Sequence, residues 1–175
     1  MDLLKHIRNV PNWPKQGIQF KDITTLCKEY APFKESCDRI ANYYKRQNIT
    51  KVAAIEARGY VFGGVVAYLL GAGFILIRKP GKLPYTTISE TYELEYGTDS
   101  IHMHIDAIQK GDHVLVLDDL LATGGTAKAA CKLVEKAGGI VKGVTFVIEL
   151  TGNLHGREKL KGYDVYSLIK IPVEE

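Results

Sequence analysis

Asp118 and Asp119 stand side by side at the end of the apolar run 114–117, and the small-residue turn Ala122-Thr123-Gly124-Gly125-Thr126 follows them. The run predicts a buried strand, and 126–137 predicts a helix stopped by Gly138-Gly139. Two consecutive glycines let the backbone bend sharply and approach a ligand closely. The open N–H groups at the helix start favour an anion, and Thr123 and Thr126 can add hydroxyl donors. The spacing is neither the nucleotide P-loop, whose Lys is missing, nor G-x-G-x-x-G. Bare carboxylates repel a phosphate, so the acidic pair fits only if neutral hydroxyls lie between. An ionised Asp can only accept, which suits the donor hydroxyls of a ribose. A ribose 5-phosphate meets both demands. Each residue taken alone also reads as a helix N-cap with acidic residues favouring the helix dipole. The ordered run from Val114 to Thr126 reads as a site.

A second anion cradle is expected where the run 52–57 ends in Ala57-Arg58-Gly59 and a helix follows. By itself this is also an ordinary strand-to-helix turn with a surface Arg. Arg78, Lys79 and Lys82 follow the next apolar run, 74–78. They also read as a solvated face. Their place at a strand's carboxyl end favours another reading, because a departing pyrophosphate needs compensating positive charge. His102 and His104 lie two apart in an alternating run and read as a solvated strand face, since no Cys or His cluster completes a metal site. Trp13, between Pro11 and Pro14, reads as packing.

These residues need a frame that brings strand ends together. Apolar runs at 52–57, 74–78, 113–119, 141–150 and 163–169 alternate with helical patterns at 59–70, 126–137 and 155–161. A further helix is expected at 32–47 and a short one near the N-terminus, while 100–106 alternates like a strand with one exposed face. The alternation predicts an α/β fold, a mostly parallel sheet with helices on both faces. Ligands bind such sheets at the carboxyl ends of the strands, hence after Glu56, Arg78 and Leu117. Residues 79–97 carry two prolines and two glycines without a helical period, and read as a long loop of the kind used as a lid.

Bulk properties fit this frame. A length of 175 residues suits one domain, 1–175, with a single core. A net charge of +3 without a long basic run argues against nucleic acid as partner. No apolar run approaches the roughly 20 residues that span a bilayer, so no membrane is expected. The N-terminal MDLLKHIRNV is mixed in charge and does not read as a signal peptide. Cys27, Cys37 and Cys131 show no C-x-x-C spacing and read as reduced thiols of a cytoplasmic protein.

The run from Val114 to Thr126 resembles the phosphoribosyl-pyrophosphate signature of the type I phosphoribosyltransferases. The runs E-A-R-G-Y-V-F-G (56–63) and E-L-E-Y-G (93–97) resemble the adenine-specific members of that family. The resemblance implies their Rossmann-like fold with a small N-terminal hood, about residues 1–30, and a flexible lid loop, about 79–97. It implies Asp118 and Asp119 on the ribose hydroxyls and Ala122, Thr123, Gly124, Gly125 and Thr126 around the 5′-phosphate. Ala57, Arg58, Arg78, Lys79 and Lys82 would bind pyrophosphate, with Arg78 reaching a neighbouring subunit's site. Glu95 would act on the purine as general acid or base, and moving protons on the ring makes its attacking nitrogen more reactive. Alternation puts Glu93 and Glu95 on one strand face, where exposed carboxylates are the plain alternative.

The stretch G-I-Q-F-K-D-I-T (17–24) resembles the hood. Phe20 would stack on adenine, although it also reads as a core residue. Backbone groups of Gln19 and Lys21 would read the base edge, and the family's usual Arg is Lys here at 21. The resemblance further implies transfer from phosphoribosyl pyrophosphate to adenine in purine salvage, Mg2+ held through the substrate near Asp118 and Asp119 with no dedicated protein cage, and a homodimer. The hypoxanthine-guanine branch carries its hood after the core, and little chain follows residue 169. A regulator that only senses the donor would need an added nucleic-acid module. The later run L-H-G-R-E-K-L (154–160) resembles the family without an assigned role.

Overall fold

Burial on both faces explains why the central strands are continuous apolar runs rather than alternating ones. The computed structural model describes residues 1–173. After a 3-10 turn (Leu3–His6), the chain forms β1 (Arg8–Pro11), β2 (Gln19–Asp22), α1 (Thr24–Cys27), α2 (Tyr30–Tyr44), β3 (Lys51–Ile55), α3 (Arg58–Leu70) and β4 (Gly73–Ile77). It continues through β5 (Thr87–Glu93), β6 (Thr98–His104), β7 (His113–Leu121), α4 (Gly125–Lys136), β8 (Ile140–Gly152), α5 (Gly156–Lys159) and β9 (Val165–Val173). Five strands make one parallel sheet in the order β4-β3-β7-β8-β9.

Side-chain alternation divides the core between the two faces of this sheet. Ala53, Ile55, Val114, Val116 and Phe146 share one cluster with Ala130, Leu133 and Val134 of α4 and with Ile101 and Met103 of β6. Val52, Ala54, Leu115 and Leu117 share the other with Ile40 and Tyr44 of α2 and Phe62 and Val66 of α3. The predicted α/β sheet is therefore present.

The strand order also locates the site. From β3 the chain passes through α3 to β4 on one side, and from β7 through α4 to β8 on the other. The connections diverge between β3 and β7, and such a switch point opens a crevice at the strands' carboxyl ends. Both predicted anion loops, 56–59 and 118–126, leave the sheet there.

Four details differ from the sequence reading. The stretch 79–97 is not one long loop, because β5 occupies its second half and pairs antiparallel with β6 from Thr87↔His104 to Glu93↔Thr98. That pairing is invisible without its partner strand. The strand at 74–78 is an edge strand, and Phe74 and Leu76 stay partly exposed rather than buried. β7 runs on to Leu121, two residues past the end expected at Asp119. The N-terminal segment holds a two-stranded hairpin, β1 against β2, which four-residue strands are too short to reveal by periodicity.

Gly143 of β8 faces the Tyr44 ring, and a Cβ there would lie 2.7 Å from the Tyr44 hydroxyl. Tyr44 is fully buried and cannot swing into solvent. Gly143→Ala is expected to cost about 1–3 kcal/mol by overpacking. Urea unfolding measures it, and adding Tyr44→Leu should recover part of the loss because the two sites share one space.

Candidate active site

β7 delivers Asp118 and Asp119 to the crevice, and the turn after it forms a cradle of about 100 Å3. Asp118, Ala122, Thr123, Gly124, Gly125 and Thr126 all line that cradle. Gly124 has φ +85°, a left-handed conformation that favours glycine, and it caps the start of α4. The structure thus gathers every residue predicted for ribose and 5′-phosphate in one place, save Asp119, which points to the neighbouring loop.

Asp119 is buried and meets Arg58, whose Nε donates to its Oδ2 at 2.6 Å. The close approach depends on Gly59. A Cβ there would stand 3.2 Å from both the Asp118 carboxylate and the Leu117 carbonyl. Burial, and then the adjacent charge of Asp119, push the Asp118 carboxyl well above the usual range. The Asp119 N–H donates to Asp118 Oδ1 at 2.8 Å. Two carboxylates beside one cation make a site that gains from further positive charge.

The other predicted cations are also placed at strand ends, and each of Arg78 and Lys79 is held by a carboxylate. Arg78 Nη2 lies 3.2 Å from Glu56 Oε2, at the end of β3 in the same chain. The Lys79 backbone N–H donates to the other Glu56 oxygen. Burial raises the Glu56 pKa, but these donors outweigh it and hold the carboxyl below its ordinary range. The Lys79 ammonium donates to Tyr92 Oη at 2.6 Å and to Asp99. Arg78 also exchanges two backbone hydrogen bonds with His102, which fastens the β5–β6 hairpin to the sheet. Lys82 meets Arg78 through its backbone carbonyl, 3.4 Å from Nη1.

Glu56, Tyr92 and Asp99 were missing from the sequence-based site. Glu56 carried one usable signal, a charge closing an apolar strand. Tyr92 and Asp99 carried none, because only the antiparallel register Tyr92↔Asp99 makes them neighbours.

The N-terminal hairpin, β1 with β2, lies against this cleft. The Phe20 ring centroid is 5.5 Å from the Arg58 guanidinium carbon, and Trp13 packs edge-on against Phe20 at 4.5 Å. Phe20 is half-buried, not a core residue, and Trp13 is half-exposed. Asn9 occupies both neighbouring side chains, accepting from Lys21 Nζ at 2.7 Å and donating to Gln19 Oε1 at 2.8 Å. With those side chains engaged, the outer backbone edge of β2 is what Gln19 and Lys21 present, since this sheet has only two strands.

Glu95 departs from expectation. β5 ends at Glu93, and Glu95 lies in the exposed turn at the hairpin tip, so the two do not share a strand face. The Leu94 N–H closes this turn on the Gly97 carbonyl at 2.9 Å. The hairpin nevertheless overhangs the cleft: a Cβ on Gly125 would sit 3.6 Å from the Tyr92 ring. His102 and His104 follow the expected alternation around buried Ile101 and Met103.

The chain matches the phosphoribosyl transferase domain over residues 28–174. It is 57% identical over 173 residues to the adenine phosphoribosyltransferase of Clostridium kluyveri, covering 99% of this chain and 100% of the relative. The corresponding Methanococcus maripaludis enzyme is 54% identical, over 97% of this chain and 98% of its own. The crystal structure of the Thermoanaerobacter pseudethanolicus enzyme superposes with a TM-score of 0.93 at 51% identity, covering 97% and 98% of the two chains. A Saccharomyces cerevisiae adenine phosphoribosyltransferase, complexed with an imino-altritol bisphosphate and adenine, gives 0.89 at 35% identity over 95% and 96%.

The N-terminal hairpin is expected to weaken in acid. The side-chain and backbone hydrogen bonds from Thr24, with the Arg8 guanidinium, hold Asp22 down from the ordinary 3.8 to about 2. A depressed carboxyl stabilises the fold above its unfolded value, and that contribution is lost as pH falls through the folded one. Denaturant titrations should therefore show stability draining between about pH 4 and pH 2, and Asp22→Asn should flatten that part of the profile. An unaltered profile in the variant would assign the acid loss elsewhere.

Proposed function

The chain belongs to the phosphoribosyl transferase domain family, in its adenine phosphoribosyltransferase branch, and on that premise we propose how one cleft handles the whole donor. The reaction joins adenine to the 5-phosphoribosyl group of phosphoribosyl pyrophosphate, releasing pyrophosphate and giving AMP, a purine-salvage step. The carrying observation is the juxtaposition of the 118–126 loop and the Ala57-Arg58 turn on either side of the β3–β7 switch point. The donor's two anionic ends need two cradles a sugar apart, and its hydroxyls need acceptors between them.

In this reading, Ala122, Thr123, Gly124, Gly125 and Thr126 enclose the 5′-phosphate. Asp118 and Asp119 accept from the ribose hydroxyls. Ala57, Arg58, Arg78, Lys79 and Lys82 compensate the pyrophosphate, whose charge grows as its bond to the sugar breaks. The donor's pyrophosphate meets Arg58, Arg78 and Lys79 while carboxylates of the chain hold those cations in place. Phe20 stacks on adenine, with backbone groups of Gln19 and Lys21 at the base edge. Glu95 reaches the purine as general acid or base when the hairpin tip folds over the cleft, and the closed lid keeps water from the donor.

The donor set suits Mg2+. The Asp118 and Asp119 oxygens are hard ligands, and the elevated Asp118 pKa marks a place where added positive charge is favourable. An ion held through the substrate would lie near Asp118 and Asp119, and it would supply charge neutralisation for the leaving pyrophosphate.

A homodimer is supported by an apolar surface. Val61, Tyr68 and Leu69 share one exposed face of α3, and Phe74 and Leu76 are partly exposed on the edge strand β4 beside it. A cytoplasmic location is supported by the cysteines, since Cys27, Cys37 and Cys131 are all free thiols; burial pushes Cys37 and Cys131 up to about 12, which suits packing. Among the described residues no helix is long and apolar enough to cross a membrane.

Adenine-dependent pyrophosphate release tests the reading, with hypoxanthine and guanine as comparison bases. Asp119→Asn should raise the donor KM about tenfold or more, and unchanged donor affinity contradicts its place on the ribose. Glu95→Gln should lower kcat with little change in donor affinity, and full activity would leave Glu95 a surface residue. Sedimentation of wild type and Leu76→Lys should show a dimer that the variant weakens; a monomeric wild type would refute it.

A further inference from the structure

The L-H-G-R-E-K-L run has no part in the chemistry above, yet it ends against the 5′-phosphate loop. Gly124 and Gly156 meet backbone to backbone. A Cβ on Gly124 would lie 2.6 Å from the Gly156 carbonyl, and one on Gly156 would strike the Ala122 carbonyl and stand 3.0 Å from Leu121 Cδ1. α5 is only one turn long. It needs something besides its own hydrogen bonds to stay on the loop.

That tie comes from a buried carboxylate. Glu149 of β8 is the register partner of Leu121, the last β7 residue before the loop. Its side chain is 6% exposed and receives Arg157 in a two-pronged pair, Nε to Oε1 at 2.9 Å and Nη2 to Oε2 at 2.6 Å. The Ser167 hydroxyl donates to the same carboxylate, and Arg157 Nη1 donates to the Val165 carbonyl at 3.0 Å. Arg157 therefore joins α5 to both β8 and β9. An open cavity of about 790 Å3 is lined by both Glu149 and Arg157, so the ion pair lies at the edge of the packed stretch. Leu160, fully buried, anchors the far end of α5 in the core.

We infer that the Glu149–Arg157 pair is a positioning clamp that presses Gly156 against Ala122 and Gly124 and so presets the loop that receives the 5′-phosphate. The inference rests on reading 122–126 as that phosphate site. A bidentate guanidinium–carboxylate pair fixes orientation as well as distance, which a lysine at the same place does not. Preset N–H groups bind an anion without first paying to order the loop, and displacement by an ångström forfeits much of the gain. The clamp should therefore act on donor affinity and leave the base end alone.

The test compares Gly156→Ala, Arg157→Lys and Thr126→Val with wild type, using calorimetric titration of ribose 5-phosphate and steady-state kinetics. Gly156→Ala and Arg157→Lys should each weaken ribose 5-phosphate and raise the donor KM about tenfold, with the adenine KM at saturating donor and kcat within about twofold. Arg157→Lys keeps the charge, so it serves if Gly156→Ala does not fold. Equal loss at the adenine end, or thermal destabilisation with unchanged ribose 5-phosphate affinity, would show a merely structural role and overturn the clamp. Thr126→Val separates the two readings. If it weakens ribose 5-phosphate while the other variants bind normally, the clamp alone fails. If it has no effect, the phosphate-loop reading fails and the clamp with it.

Discussion

The cleft depends on the ion pair between Arg58 and Asp119. Two adjacent carboxylates at the end of a buried strand repel one another and resist desolvation. Arg58, delivered by the turn after β3, sets a positive charge against the buried Asp119 carboxylate. The same contact joins the ends of β3 and β7, the strands between which the sheet's connections diverge. Removing one partner of such a pair leaves a buried charge without compensation, which is why both belong to a single functional unit.

The pattern repeats around the cleft. Arg78 is held by Glu56, and Lys79 by Asp99 and Tyr92. Each cation assigned to the pyrophosphate, apart from Lys82, thus has a carboxylate partner within the chain. In the proposed reading, an arriving anion would meet cations already held in place at the strand ends. The hairpin β5–β6 takes part because Tyr92 and Asp99 lie on its facing strands. Lys79 therefore ties the end of β4 to the β5–β6 hairpin, and in the proposed reading it would couple the pyrophosphate end to the lid.

In the proposed reading, the phosphate end would work by shape more than by charge. Its donors would be backbone groups and threonine hydroxyls, while its geometry comes from Gly124 in a left-handed conformation against the Gly156 backbone. Among the described residues, no lysine lines that cradle. A loop of this kind binds only as well as it is held still, and the residues that hold it are on a different strand and helix.

What the sequence determined by itself is what depends on neighbours along the chain. The strand–loop–helix at 114–136 was legible because strand, turn and helix start are consecutive, and each needs particular residue types. The alternation of apolar strands with helices likewise implied the parallel sheet and the ends at which ligands sit. Only the tertiary structure decided what depends on partners far apart in sequence. It placed β5 within the expected lid loop and ended it at Glu93, leaving Glu95 in the turn. It turned Glu56 toward Arg78 and closed Glu149 on Arg157. The physical reason is the range of the forces. Backbone propensity and turn chemistry act over a few residues, whereas pairing of strands and of buried charges is settled only where the folded chain brings them together.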